Sequence, residues 1–337
     1  MNRVETAKQS SRAKVASVSH KVKPHADHLP CHSLPMNPSK QPDPNAPRSR
    51  SSSLAHLQQG LLTVAVAVAL AWTLWTSSDA KFATWVGLAV ITLGYAVILG
   101  LETVGAAVIN HSDAAPRASK SEWFNAWWQE VRVAPQVFAW RQPFRWRRLP
   151  DTLMAQPASV PAVVLIHGFF CNRGFWLPWM EQLQTQGIPY VSVNLEPIFG
   201  SIDEYAPIVD EAVIRATALT GRAPTLICHS MGGLAARAWM AATPGAASRV
   251  QNIITIGTPH RGTWLARFSH LANGRQMRHD CDWQQSLMAR ELALHPQRNA
   301  GLFVCWYSNT DNIVFPGSTA TLPGADNRLV VGAPHVA

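Results

Sequence analysis

Along the chain the apolar positions fall into three regimes. Residues 1–55 mix Ser, Pro, Lys and His without a sustained apolar run. A segment that buries so little surface does not offset the entropy of ordering, so a disordered basic tail is expected there. Two near-continuous apolar runs follow, 57–75 (LQQGLLTVAVAVALAWTLW) and 83–101 (ATWVGLAVITLGYAVILGL). At about 1.5 Å per residue each is long enough, as a helix, to cross a bilayer core. Residues 56–110 therefore read as a two-span hairpin, with Trp85 near one end of the second span and Glu102 closing the other at the interface. From Pro161 onward the pattern changes to short β-like runs, PAVVLIHG, PYVSVNL, PTLICHS, VQNIITIG and GLFVCWYS, separated by amphipathic helical stretches. Such alternation predicts an α/β domain, spanning 156–337, with a mainly parallel sheet and helices on both faces.

Charge sharpens this division. The net charge is +9, and it is not spread evenly. Residues 1–55 carry nine Lys/Arg against three Asp/Glu and residues 111–150 seven against three, whereas 151–337 balance. Basic segments that flank apolar spans suit anionic lipid headgroups, and no recognition motif accompanies them, so nucleic acid is not expected as a partner. The loop from Thr76 to Phe82 has Lys81 as its one basic residue, which by the positive-inside rule puts both flanks, and the α/β domain, on the cytoplasmic side. Between hairpin and domain, residues 111–155 interleave Trp123, Trp127, Trp128, Trp140 and Trp146 with Arg132, Arg141, Arg145, Arg147 and Arg148. Trp123, Trp127 and Val131 share a helical face, and the segment reads as an interfacial collar or as a cap on the domain. The five cysteines (Cys31, Cys171, Cys228, Cys281, Cys305) form no C-x-x-C pair, which gives no sign of a metal site and favours a reducing compartment.

The candidate chemistry lies in C-H-S-M-G-G, Cys228 to Gly233, between a strand-like and a helix-like stretch. A serine on a sharp strand-to-helix turn needs small residues two before and two after it. Gly232 meets that demand and Cys228 meets it in part. His167-Gly168-Phe169, at the end of the first strand-like run, stands where a loop could supply backbone donors to an oxyanion. One such donor is typically worth about 3–4 kcal/mol in the barrier.

Residues 161–337 resemble the bacterial triacylglycerol lipases and the related GPI-inositol-deacylase-like members of the α/β-hydrolase superfamily. The likeness rests on V-L-I-H-G-F ending at Phe169, on C-H-S-M-G-G and on I-T-I-G-T-P-H-R-G-T at 254–263. It implies Ser230 as nucleophile, Asp311 in S-N-T-D-N-I-V-F-P as acid and His335 near the end of the sequence as base, in the chain order Ser, acid, His. Phe169 and Met231 would give the oxyanion donors, with His167, Gly168, His229 and Gly232 supporting loop and elbow. Asn172 and Arg173 would steady the loop. Asp326, Asp280 or Asp282 compete as acid, and His260 competes as base. Neither metal nor cofactor is implied. The resembling enzymes continue past the histidine into a packing helix, so the resemblance implies either a truncated or degenerate hydrolase or N-terminal segments that supply the missing packing. Residues 264–300 are expected to form a lid-like or an ordinary surface helix. The combined expectation is a lipase or carboxylesterase integral to a bacterial inner membrane and acting on lipid or acyl esters. The alternatives are a thioesterase-like deacylase and a non-catalytic membrane protein that keeps the fold.

Overall fold

A computed structural model describes residues 52–76, 81–152, 160–294 and 299–336. Most of the expected disordered tail lies outside these residues. Its last positions do not: Leu54 and Ala55 are buried in the first turn of helix α1 (Ser53–Thr76), and the Ser53 N–H donates to Glu196 Oε1 at 2.9 Å. The boundary expected at residue 55 therefore falls inside helix α1.

Helix α1 pairs with α2 (Lys81–Asn110), and both are long and apolar enough to cross a membrane. Their exposure is patterned. Leu61, Val64, Val66, Val68 and Leu70 on α1 and Val90, Leu93, Val97 and Ile98 on α2 are each more than half exposed. The buried positions, Leu54, Ala55 and Gln58 on α1 and Thr103 and Ala106 on α2, lie at the chain ends of the hairpin. Glu102 does not close the second helix. The chain stays helical to Asn110, because Thr103 and Ala106 bury where a lipid-facing helix would have ended.

Helix α3 (Lys120–Gln136) starts with a capping box in which Ser119 Oγ accepts from Glu122 N–H and Glu122 Oε2 accepts from Ser119 N–H. Its buried stripe is Ala126, Glu130, Val131 and Ala134. Pro135 and Pro143 remove backbone donors, and the helix widens into a π-helical stretch over Val137–Arg145. The collar divides here. Trp127 donates from Nε1 to Ala96 O at 3.0 Å and Tyr95 donates to Val131 O, so this face packs on α2. Trp146 is also buried, whereas Phe124, Trp128, Trp140 and Phe144 face outward.

The sheet comprises β1 (Val163–Ile166), β2 (Tyr190–Ser192), β3 (Thr225–His229), β4 (Asn252–Ile256), β5 (Phe303–Ser308) and β6 (Asp326–Val330). Its order is β2-β1-β3-β4-β5-β6, with every pairing parallel. Alternate strand residues feed two cores. Val164, Ile166, Leu226, Cys228, Ile253 and Cys305 pack with α5 (Ala206–Thr220) and α6 (Met231–Ala242) around Trp239 and Tyr205. Val163, Leu165 and Ile227 face Trp176, Leu177 and Met180 at the start of α4 (Leu177–Thr185). Each fully buried aliphatic side chain contributes about 1.5–3 kcal/mol relative to its exposed state.

The stretch expected to be lid-like or a surface helix forms α7 (Ala272–Gln276) and α8 (Asp282–Leu294), and α8 is tied down. Trp283 and Leu287 join the core, Trp283 Nε1 donates to Asp203 Oδ2 at 2.6 Å, and Arg237 of α6 grips Glu291 through two bonds of 2.9 and 2.7 Å. Phe268 and Leu271, which precede α7, are exposed.

Candidate active site

The sheet winds in opposite directions from β1 and β3, so the loops beyond the carboxyl ends of these neighbouring strands border one crevice. His167 follows β1 and Ser230 follows β3.

Ser230 has φ 53° and ψ −127°, a region that side chains other than glycine enter only when their surroundings impose it. Its N–H donates to Ile256 O at 2.8 Å, so β4 holds the turn. Gly232 is required two residues later: a Cβ there would lie 2.5 Å from Ile166 O and 2.7 Å from His167 O, both backbone atoms. Cys228 on the other side is wholly buried in the core. The elbow thus tolerates a thiol because strand β3 points it away from the turn into packed apolar surroundings.

Gly168 also lets the two loops approach closely, since a Cβ on it would lie 2.7 Å from Ser230 Cβ. Phe169 and Met231 each adjoin one side of this contact. Phe169, Phe170 and Phe199 cluster beside it, with ring centroids 6.1–6.5 Å apart. Asn172 braces the loop by accepting from Gly174 N–H and donating to Ser52 Oγ and Gln142 O, and Arg173 pairs with Asp151 at 2.6 Å.

Four histidines surround this region and divide by environment. His167 Nε2 accepts from Leu195 N–H at 3.0 Å, which leaves Nδ1–H to donate to Gly168 O. Burial lowers its imidazole to about 4, so it is a neutral strut. His229 stacks on Phe175 at 4.4 Å and lies tilted against the His335 ring at 4.7 Å, and its Nε2–H donates to His335 O at 2.9 Å. Burial, reinforced by the charge of His335, holds it well below the usual range. His260 engages Thr255 Oγ1 and Cys305 Sγ, and burial together with Arg237 keeps it neutral. Its ring nitrogen faces groups of β4 and β5 inside the core.

His335 differs from the other three. Its Nδ1 meets Asp311 Oδ2 at 2.8 Å, with both side chains almost fully buried. Burial alone would lower this imidazole. The charge and hydrogen bond of Asp311, with the charges of Glu130 and Glu102, outweigh burial and raise it above the usual range. Asp311 is itself fixed, because Oδ1 accepts from Ile313 N–H at 2.9 Å and Val314 N–H at 2.7 Å. Gly257, at the end of β4 beside the elbow, lies against this pair: a Cβ there would be 3.1 Å from Asp311 Oδ2 and 3.3 Å from His335 Nδ1. The competing acids sit elsewhere. Asp326 is exposed and paired with Arg328, and Asp280 is paired with His279.

Two carboxylates near His335 were not read from the sequence as part of the site. Glu130 Oε2 accepts from Val336 N–H at 3.1 Å, and Glu102 adds its charge from α2. The available signal for Glu130 was a lone charge in the stripe Ala126, Ala134, Val137. Among the described residues no group of His, Cys, Asp and Glu side chains could hold a metal ion.

The profile of the alpha/beta hydrolase family matches residues 163–331. A triacylglycerol lipase of Burkholderia plantarii is 34% identical over 138 residues, a match covering 35% of this chain and 37% of the relative. The chain thus spans little more than a third of that relative's length. Among solved structures, the mature form of Bacillus licheniformis lipase BlEst2 matches with a TM-score of 0.48 and 18% identity, over 55% of this chain and 89% of that one. Aspergillus fumigatus lipase B matches with a TM-score of 0.43 and 18% identity, over 56% and 47%.

Proposed function

The chain belongs to the alpha/beta hydrolase family and has its fold, and from that premise we propose that it is a membrane-anchored serine hydrolase that cleaves acyl esters. The observation that carries this reading is the buried Asp311–His335 pair beside a serine held at a positive φ. In the proposed cycle Ser230 Oγ attacks the ester carbonyl while His335 Nε2 takes its proton. Asp311 holds the imidazole with Nδ1–H toward the carboxylate and supports the imidazolium. The N–H groups of Phe169 and Met231 receive the oxyanion. His335 then protonates the departing alcohol, and water releases the acid from the acyl-enzyme.

Likeness to a triacylglycerol lipase supports a lipid-like ester, and the outward apolar faces of α1 and α2 support a bilayer setting. The exposed Trp140 and Phe144, with Arg145 stacked 5.6 Å over the Trp140 ring, suit the headgroup region of the same leaflet. The loop around Lys81 would then cross to the far side, leaving the catalytic domain in the cytoplasm of a bacterial inner membrane. The same Asp311–His335 pair favours catalysis over a purely structural role for the fold, since a buried charged pair is often neutral or costly for stability.

The test is hydrolysis of p-nitrophenyl esters of increasing acyl length by the full chain in detergent micelles. Hydrolysis that rises with acyl length and disappears in Ser230→Ala is expected. A folded wild type that cleaves no ester in the series contradicts the proposal.

A further inference from the structure

The loop that carries His335 is anchored by the segment preceding the α/β domain as well as by the sheet. Val336 N–H donates to Glu130 Oε2 on α3, while Asn110 Oδ1 at the end of α2 accepts from Gly317 N–H at 2.8 Å. Asp113, just beyond α2, receives both Ser318 N–H and Ser318 Oγ–H. The loops following the acid and bearing the base are therefore both tied to the same α2–α3 segment.

Glu130 is the unusual member of this set. It is 2% exposed in a stripe of Ala126, Ala134 and Val137 that an uncharged side chain would fill at less cost. Burial pushes its carboxyl up to about 7; the charge of His335 and the Val336 N–H oppose that rise, and the charges of Asp311 and Glu102 add to it. Around His335 the titratable neighbours are Asp311 from the loop after β5, Glu130 from α3, Glu102 from α2 and the neutral His229 at the end of β3.

We propose that Glu130 is a positioning residue for ester hydrolysis: its carboxylate fixes the loop of the base through Val336 N–H and stabilises the imidazolium that His335 becomes. The α2–α3 segment is then part of the catalytic apparatus as well as of the anchor. This inference rests on the reading of His335 as the base. A carboxylate set beside the developing imidazolium, and already in place before reaction, lowers the barrier without reorganisation.

The experiment compares wild type, Glu130→Gln and Glu130→Ala, each as full chain in micelles, by kcat, KM, pH profile and rate of labelling with a fluorophosphonate. In Glu130→Ala the loop loses its tether, and kcat falls by about 10²-fold with KM nearly unchanged, as for a reacting group misplaced by an ångström. Glu130→Gln keeps an amide oxygen for Val336 N–H and recovers much of that loss. Both variants shift the acidic limb of kcat/KM to lower pH, because a charge that favours protonated His335 has gone. If Glu130→Ala does not fold, the limb of Glu130→Gln decides alone. An active wild type whose Glu130 variants keep its kcat and its acidic limb overturns this inference and leaves the triad standing. A wild type that neither turns over ester nor labels overturns both.

Discussion

Replacing Asp311 by Asn changes one oxygen to an NH2 group and leaves the volume of the site intact, and the structure dictates which way the amide must face. Oδ1 accepts two backbone N–H groups, from Ile313 and Val314, at 2.9 and 2.7 Å. An NH2 turned toward them would set donors against donors in a buried site, at a cost of about 1–3 kcal/mol for each group left unsatisfied. The amide oxygen therefore stays on the two N–H groups and the NH2 faces His335 Nδ1. Nδ1 must then accept, the ring proton moves to Nε2, and the nitrogen left for Ser230 holds a proton when it needs a lone pair. In serine proteases the same exchange, a worked case of tautomer control, costs on the order of 10⁴ in kcat. A loss of about 10³ to 10⁴ in the rate of fluorophosphonate labelling at neutral pH is expected here on that precedent. The acidic limb should also move to lower pH, since Asp311 is the largest influence raising His335. The labelling rate, followed by gel fluorescence with thermal unfolding recorded in parallel, reads this directly. A folded Asp311→Asn protein that labels within about tenfold of wild type would refute the reasoning, because a tautomer forced the wrong way cannot retain general-base catalysis.

Three further outcomes follow from particular contacts. Gly232→Ala drives a methyl into Ile166 O and His167 O, so unfolding stability falls by about 1–3 kcal/mol and labelling slows sharply; Gly105→Ala, where nothing lies within 4 Å of the new Cβ, leaves labelling unchanged. Chemical unfolding and labelling of both variants check this. The carboxyl of Glu130 is raised by burial to about 7, so its contribution to stability is present below pH 4.5 and is lost as pH rises through 7. Glu130→Gln should accordingly match wild type near pH 4.5 and exceed it at pH 8 by about 1–3 kcal/mol in denaturant titrations. The double variant Trp140→Ala/Phe144→Ala, which removes two exposed rings, should cut hydrolysis of vesicle-borne esters about tenfold or more while sparing a short soluble ester; equal loss on both substrates would speak against an interfacial role.

The first five strands and the elbow were legible in the sequence because each is local, whereas β6 (Asp326–Val330), with its exposed polar positions, was not. Short apolar runs alternate with helical stretches, and the serine turn needs Gly232 within two residues. Asp311 and His335 were assigned from resemblance, and their pairing is a matter of β5 and β6 ending side by side, which no local pattern encodes. Glu102 looked like the end of a span because a charge interrupts an apolar run, yet it lies on the part of α2 that adjoins the α/β domain. The collar looked uniform, but Trp127 finds the Ala96 carbonyl on α2 while Trp128 remains outside. Glu130 escaped notice because its partner, Val336, lies 206 positions away. For helix α8 the sequence left a lid-like cover and an ordinary surface helix both open. Trp283 and Leu287 fix it to the core through contacts with Asp203 and α6.

The central claim is that Ser230 is an activated nucleophile. Its most direct test is fluorophosphonate labelling of the full chain in membranes, followed by mass spectrometry of the labelled peptide. The account predicts a phosphonyl adduct on Ser230, lost in Ser230→Ala and His335→Ala while both variants remain folded. A folded wild type that takes up no probe, or carries it on another residue, would contradict it.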